Sequence, residues 1–227
     1  HLDAIESSGT THIFLGHDFR PSSRAILKDC AIAIKQAGLE AVDCGALPTP
    51  ALALHAIARG GAAIMITGSH IPADRNGLKF YSAKGEISKA DEKGIVECLT
   101  SEDIPACEVS PSDEADKASE RFFERFAGFL TPNALTGKRI GVFEHSTVAR
   151  DLLGCILRHF GAETVSLGRI EGFVPVDTEA FTDPVFSPVP GWIAEHRLDA
   201  VVSADGDGDR PLLVDENGQF VRGDVLG

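Results

Sequence analysis

The chain has 227 residues, 43% of them hydrophobic, and a formal net charge of −13. That apolar content suffices for two domain cores of ordinary size. The negative charge argues against nucleic acid or an anionic membrane as partner, since both would repel it, yet leaves room for a phosphorylated substrate held by local arginines and a metal.

Five scattered cysteines, with no Cys-x-x-Cys pair, point to reduced, mostly buried thiols of a cytoplasmic protein. No apolar run approaches the ~18 residues of a membrane span, and no signal peptide is visible. The abrupt start at His1-Leu-Asp and the stop at Gly227, soon after a strand, read like a piece of something longer.

In chain order, His12–Gly16 is a short apolar strand, and a helix opens near Ser22 or Ser23, either a plausible N-cap, and runs to Ala37 before Gly38. Leu39–Cys44 is the next strand, Pro50–Arg59 an amphipathic helix, and Ala62–Thr67 a strand apolar enough to be central. This alternation predicts right-handed parallel crossovers. A loop over Gly68–Gly77 leads to a strand at Leu78–Tyr81, and helices follow at Lys89–Leu99 and Glu114–Phe129, with Thr100–Asp113 as a surface connection between them. A domain boundary is expected at Thr131–Gly137. The alternation then restarts with strand Arg139–Phe143, helix Val148–Phe160 and strand Glu163–Leu167. Phe173–Pro190 reads as loop, Trp192–Arg197 as helix, and Leu198–Ala204 and Leu212–Asp215 as strands. The expectation is therefore two successive α/β domains with mixed or parallel sheets, over residues 1–131 and 132–227.

Two stretches carry chemistry. In Asp205-Gly-Asp-Gly-Asp-Arg210 three carboxylates alternate with two glycines. Such crowding is costly unless a hard divalent cation sits among the oxygens, and the glycines let the backbone aim all three at one point. A calcium loop is excluded, because Arg210 stands where the tight-turn glycine belongs, Pro211 follows, and the flanks read as strands. The second stretch, Thr67-Gly-Ser-His-Ile-Pro72, continues through Asn76-Gly-Leu-Lys79 at the carboxyl end of an apolar strand, where open α/β sheets place their ligands. Ser69 there is suited to carry a phosphoryl group, with His70 beside it. No Gly-x-Ser-x-Gly elbow supports a hydrolase.

Together the two stretches, with Gly16-x-Asp18-x-Arg20-x-Ser-Ser23 and Asp215-Glu-Asn-Gly218, resemble the α-D-phosphohexomutases over nearly the whole chain. In the Gly-Ser-His-Ile-Pro form of the serine loop the resemblance is to the bacterial phosphomannomutases. The resemblance implies an isomerase that moves a phosphoryl group between C6 and C1 of a hexose phosphate through a phosphoserine and a hexose bisphosphate. It implies Ser69 as phosphoryl carrier and Asp205, Asp207 and Asp209 as ligands of one Mg²⁺, with a Ser69 oxygen completing the site. Arg20 and Arg210 match arginines near the transferring phosphate, and Lys79 and His70 the candidates for acid–base work. A lysine between anions has its pKa raised, which favours an acid or point charge over a base.

For the same residues, a solvated strand-end lysine, a loop-packing histidine bonded to backbone and an arginine bracing a helix start remain open. The third and fourth domains of the family, with their sugar- and distal-phosphate-gripping loops, have no counterpart in this chain. Phosphoglucomutase, phosphoglucosamine mutase and a non-catalytic metal- or sugar-phosphate-binding module are the alternative readings, and a phosphatase the last.

Overall fold

The structure, a computed structural model, describes residues 11–99 and 107–226. Its first part alternates β1 (His12–His17), α1 (Ser23–Gln36), β2 (Glu40–Ala46), α2 (Thr49–Ala58) and β3 (Ala62–Ile66), followed by β4 (Leu78–Ser82), β5 (Gly85–Glu86), α3 (Lys89–Glu97), β6 (Ser112–Asp113) and α4 (Ala115–Ala127). The second part holds β7 (Arg139–Phe143), α5 (Arg150–His159), β8 (Glu163–Leu167), a 3₁₀ turn at Pro184–Phe186, α6 (Val189–His196), β9 (Ala200–Ala204), β10 (Pro211–Asp215), β11 (Phe220–Val221) and α7 (Gly223–Leu226).

Two mixed sheets result, as expected for the fold class. The first has the order β5-β4-β3-β1-β2-β6 and the second β11-β10-β9-β7-β8. In each, the opening strand pairs in parallel with its successor on one side and with the third strand on the other. That reversal makes a switch point, which leaves a crevice outside the carboxyl ends of the strands. β3 then turns back into antiparallel β4, pairing Met65 with Lys79, and β9 turns back into β10. Both hairpins thus place their connecting loops, 67–77 and 205–210, at these crevices.

The cores explain why these strands are central. Along β1, Phe14 enters one cluster with Val42, Leu52 and Met65, while Ile13 and Leu15 enter the opposite one with Leu27, Ala31 and Ile66. Burial on both faces suits the near-continuous apolar runs of β1 and β3. In the second sheet, Phe143, Val201 and Val214 pack against Val176, Phe186 and Ile193. Helix α4 contacts both α2 and α5, and the His159 ring meets Phe123 at 5.2 Å. The sheets fall on either side of Thr131–Gly137.

Several expectations are corrected locally. Ser22 stands at the N-cap of α1 without a capping hydrogen bond. Instead the Asn76 side-chain amide donates to Ser22 Oγ and Ser23 Oγ, each at 2.9 Å. The loop expected over Phe173–Pro190 contains a 3₁₀ turn capped by Asp183 and the first residues of α6. Two-residue β6 falls inside the expected surface connection, of which 100–106 lie outside the described residues. The five thiols are free, but only Cys44 is buried, and Cys98 and Cys155 are exposed. No helix of the described residues is long and apolar enough to cross a membrane.

Candidate active site

The serine loop is built on a buried carboxylate. Asp18, at the end of β1, accepts hydrogen bonds from the Arg20 amide and Nε, each at 3.0 Å, from Ser23 Oγ and from Thr67 Oγ1. Thr67 Oγ1 in turn accepts from the Ser69 amide at 2.8 Å. Ser69 itself has φ 49°, a left-handed conformation that a non-glycine residue keeps only where its surroundings enforce it.

Arg20 supplies that enforcement. Its Nη1 donates to the carbonyls of Pro72 and Arg75, and its Nη2 to those of Ser69 and Ile71, at 2.7–2.8 Å. With Nε on Asp18, all five guanidinium N–H groups have protein acceptors. In this arrangement the Arg20 guanidinium is committed to Asp18 and to the serine loop, whose carbonyls it braces, rather than to the helix start that the alternative reading named. Phe173, from the second part of the chain, covers the guanidinium at 4.3 Å, and Arg150 lies 4.4 Å over the Phe19 ring.

The acidic loop closes on itself before it reaches outward. The Asp205 amide donates to Arg210 O and the Gly208 amide to Asp205 O, both at 3.1 Å. Asp205 Oδ1 accepts from the amides of Asp209 and Arg210. Gly208 turns with φ +73°, and a Cβ there would meet Pro48 at 3.1 Å and Ala149 at 3.2 Å. One oxygen from each of Asp205, Asp207 and Asp209 lies within 4.8 Å of the others.

The two loops converge. Ser69 Oγ donates to Asp205 Oδ2 at 2.7 Å, across 136 residues of sequence. Lys79 Nζ lies 2.7 Å from both Asp207 Oδ2 and Asp209 Oδ2. Thr49, at the start of α2, donates its hydroxyl to Asp207 Oδ2 and its amide to Asp207 O, the latter at 2.8 Å. Asp207 Oδ1 is buried without a hydrogen-bond partner. An orphaned carboxylate oxygen beside two further carboxylates and a serine hydroxyl fits a hard divalent cation, which binds oxygen donors of this kind.

The charges are strongly interdependent. Burial and then the charge of Asp207 push the Asp205 carboxyl up from its ordinary value. Burial would raise Asp207 too, but Lys79 and Thr49 outweigh it and hold that carboxyl down. Lys79 loses some basicity to burial and regains more from Asp207 and Asp209, so its net shift is upward. The solvated-lysine alternative does not describe it. The Arg210 guanidinium has no hydrogen bond or ion pair among the described residues, although its amide serves Asp205. His70 is half-buried with Nδ1 unpartnered, so that nitrogen makes no bond to backbone.

Residues 2–105 match the model for "Phosphoglucomutase/phosphomannomutase, alpha/beta/alpha domain I". A phosphomannomutase of Sinorhizobium fredii is 48% identical over 220 residues, covering 95% of this chain and 46% of the relative. Another, of Salmonella muenchen, is 44% identical over 217 residues, covering 96% and 45%. Over nearly its whole length the chain is thus similar to phosphomannomutases of the phosphoglucomutase/phosphomannomutase family, whose domain I its first half matches. It spans about half the length of these curated relatives. A solved phosphoglucomutase/phosphomannomutase family protein from Burkholderia thailandensis shares the fold, with a TM-score of 0.76 at 24% identity over 97% of this chain and 50% of that one.

Against that family background, three contributors to the site escape sequence reasoning. Thr49 was signalled only by its position between Pro48 and Pro50 at a helix start, and Phe173 lay in a stretch read as loop. His145, to which sequence spacing assigns no role, is buried behind the acidic loop. Its Nε2 faces Ser203 Oγ at 3.1 Å and Ala204 O at 2.9 Å. Ser203 Oγ already donates to Phe143 O, so Nε2 is the protonated nitrogen. Burial lowers the His145 pKa to about 4, which keeps the ring neutral.

Proposed function

We propose that this chain carries the phosphoryl-transfer part of a hexose-phosphate mutase, with mannose phosphate as the favoured substrate. The observation that carries this reading is the 2.7 Å contact between Ser69 Oγ and Asp205 Oδ2. It joins a hydroxyl that can accept a phosphoryl to a cluster suited to a divalent cation. The family supports the reaction class, and the relatives named phosphomannomutase favour that sugar. The reading includes a division into a serine-loop domain (1–131) and an acidic-loop domain (132–227), with further domains completing the enzyme.

In the transfer, the bond from phosphorus to Ser69 Oγ breaks as one forms to a sugar hydroxyl oxygen, whose proton departs. The resulting bisphosphate, turned round, returns its other phosphoryl to Ser69 Oγ. Held by Asp205, Asp207, Asp209 and a Ser69 oxygen, Mg²⁺ would supply positive charge against the phosphoryl oxygens. Lys79, kept protonated by its two aspartates, acts as a proton donor or a fixed charge. The Arg210 guanidinium offers a fork for phosphate oxygens. His70 is the other acid–base candidate of this reading. Arg20 and Asp18 hold Ser69 in position.

The test is to incubate the chain with hexose 1,6-bisphosphate carrying labelled phosphate, in Mg²⁺, and map the modified residue by mass spectrometry. Label on Ser69, lost in Ser69→Ala, is the expected result. Label elsewhere refutes the assignment. Metal binding without exchange identifies a binding module, and steady release of inorganic phosphate identifies a phosphatase.

A further inference from the structure

We propose that Thr49 is a positioning residue that decides which oxygen of Asp207 faces the cation. The inference deepens the reading above and rests on it. Asp207 is fully buried, and its two oxygens are treated very differently. Oδ2 accepts from Thr49 Oγ1 and from Lys79 Nζ. Oδ1 accepts from nothing. A carboxylate can rotate about χ2, which is a soft torsion, even where its backbone is held. With Oδ2 tied to a hydroxyl on the first turn of α2, that rotation is stopped and Oδ1 is the oxygen presented.

The attachment is built to be rigid at both ends. Thr49 is 3% exposed, and its amide also donates to Asp207 O at 2.8 Å. The same residue therefore fixes the backbone and the side chain of Asp207. Pro48 precedes it and Pro50 follows, which restricts the backbone on either side. Ala51 and Leu52, two and three positions further into α2, are fully buried in the core. The acidic loop belongs to the second sheet, whereas α2 packs on the first, so one side chain registers the cation site against the domain that bears Ser69. Lys79 shares Oδ2 but is one-third exposed and long; it can swing, and the threonine hydroxyl cannot. Partners of metal-ligating carboxylates in this position typically control affinity by about 10–100-fold.

Thr49→Val removes the hydroxyl while keeping the β-branched shape and the backbone amide. The measurement is the affinity of the intact chain for Mn²⁺, added alone and read by the electron paramagnetic resonance of the free ion. Unfolding temperatures without metal are recorded in parallel. Thr49→Val is expected to weaken Mn²⁺ binding at least about tenfold, alongside the fall in metal-free unfolding temperature that loss of one buried hydrogen bond brings, and Thr49→Ser to restore both. Thr49→Ala serves as a second hydroxyl-free variant should valine perturb the fold. Asp207→Asn separates the two levels of the argument. If Asp207→Asn loses Mn²⁺ but both hydroxyl-free variants bind like the parent, the positioning role is wrong and the cation site stands. If Asp207→Asn also binds like the parent, the cation site itself is wrong and the positioning role falls with it.

Discussion

Replacing Arg20 by lysine separates a brace from a phosphate ligand. The charge is kept, but five N–H donors become three on a flexible ammonium. Arg20 is 2% exposed and serves Asp18 plus four carbonyls between residues 69 and 75. At least two charge-assisted hydrogen bonds must go, each worth about 1.5–3 kcal/mol. The Pro72–Arg75 stretch is exposed, so the carbonyls it frees rehydrate and the loss sits at the low end, near 3 kcal/mol. The cation–π contact with Phe173 adds to the loss, because an ammonium on a linear stem cannot lie flat on the ring. Two assays report this without any substrate: urea unfolding, and amide hydrogen exchange across residues 68–77. Arg20→Lys is expected to lower stability by about 3 kcal/mol and to speed exchange in the serine loop selectively. Unchanged exchange there, with a stability loss below about 1 kcal/mol, would refute the bracing role and return Arg20 to the phosphate.

Other consequences are equally direct. Glu114 sits between His55, Arg59 and Lys117; burial raises its carboxyl, but their hydrogen bonds and charges reverse this and hold it at about 2 against an ordinary 4.5. Because the folded-state value is depressed, its stabilisation is complete above pH 4.5 and is lost as pH falls towards 2. Glu114→Gln should thus destabilise the chain by about 2 kcal/mol at pH 7 and flatten the pH dependence of its melting between those limits; a parallel curve would exclude Glu114 as the titrating group. A Cβ at Gly141 would meet Leu167 at 2.5 Å and Leu198 at 2.8 Å, so Gly141→Ala should cost about 1–3 kcal/mol by denaturant titration. Gly94, inside exposed α3 with nothing within 4 Å, should instead gain about 0.5–1 kcal/mol on change to alanine.

Much of this molecule was legible residue by residue. The apolar runs at 12–17, 62–66 and 200–204 announce central strands because burial on both sheet faces leaves no polar alternation to obscure them. The spacing of Asp205, Asp207 and Asp209 marks a cluster that could hold a cation, because local repulsion needs an answer wherever the loop lies. Ser69 and Lys79 stand out for the same local reason, one at a strand's end and the other across its hairpin. What no linear reading supplied depends on which distant groups use up which atoms. Arg20 looks like a phosphate ligand until the carbonyls of residues 69, 71, 72 and 75 are found around it. Thr49 is an ordinary helix-start residue until the acidic loop, 158 positions later, meets its hydroxyl. A hydrogen-bond donor satisfied by one partner is lost to another, and only the folded arrangement of the two sheets decides which partner arrives first.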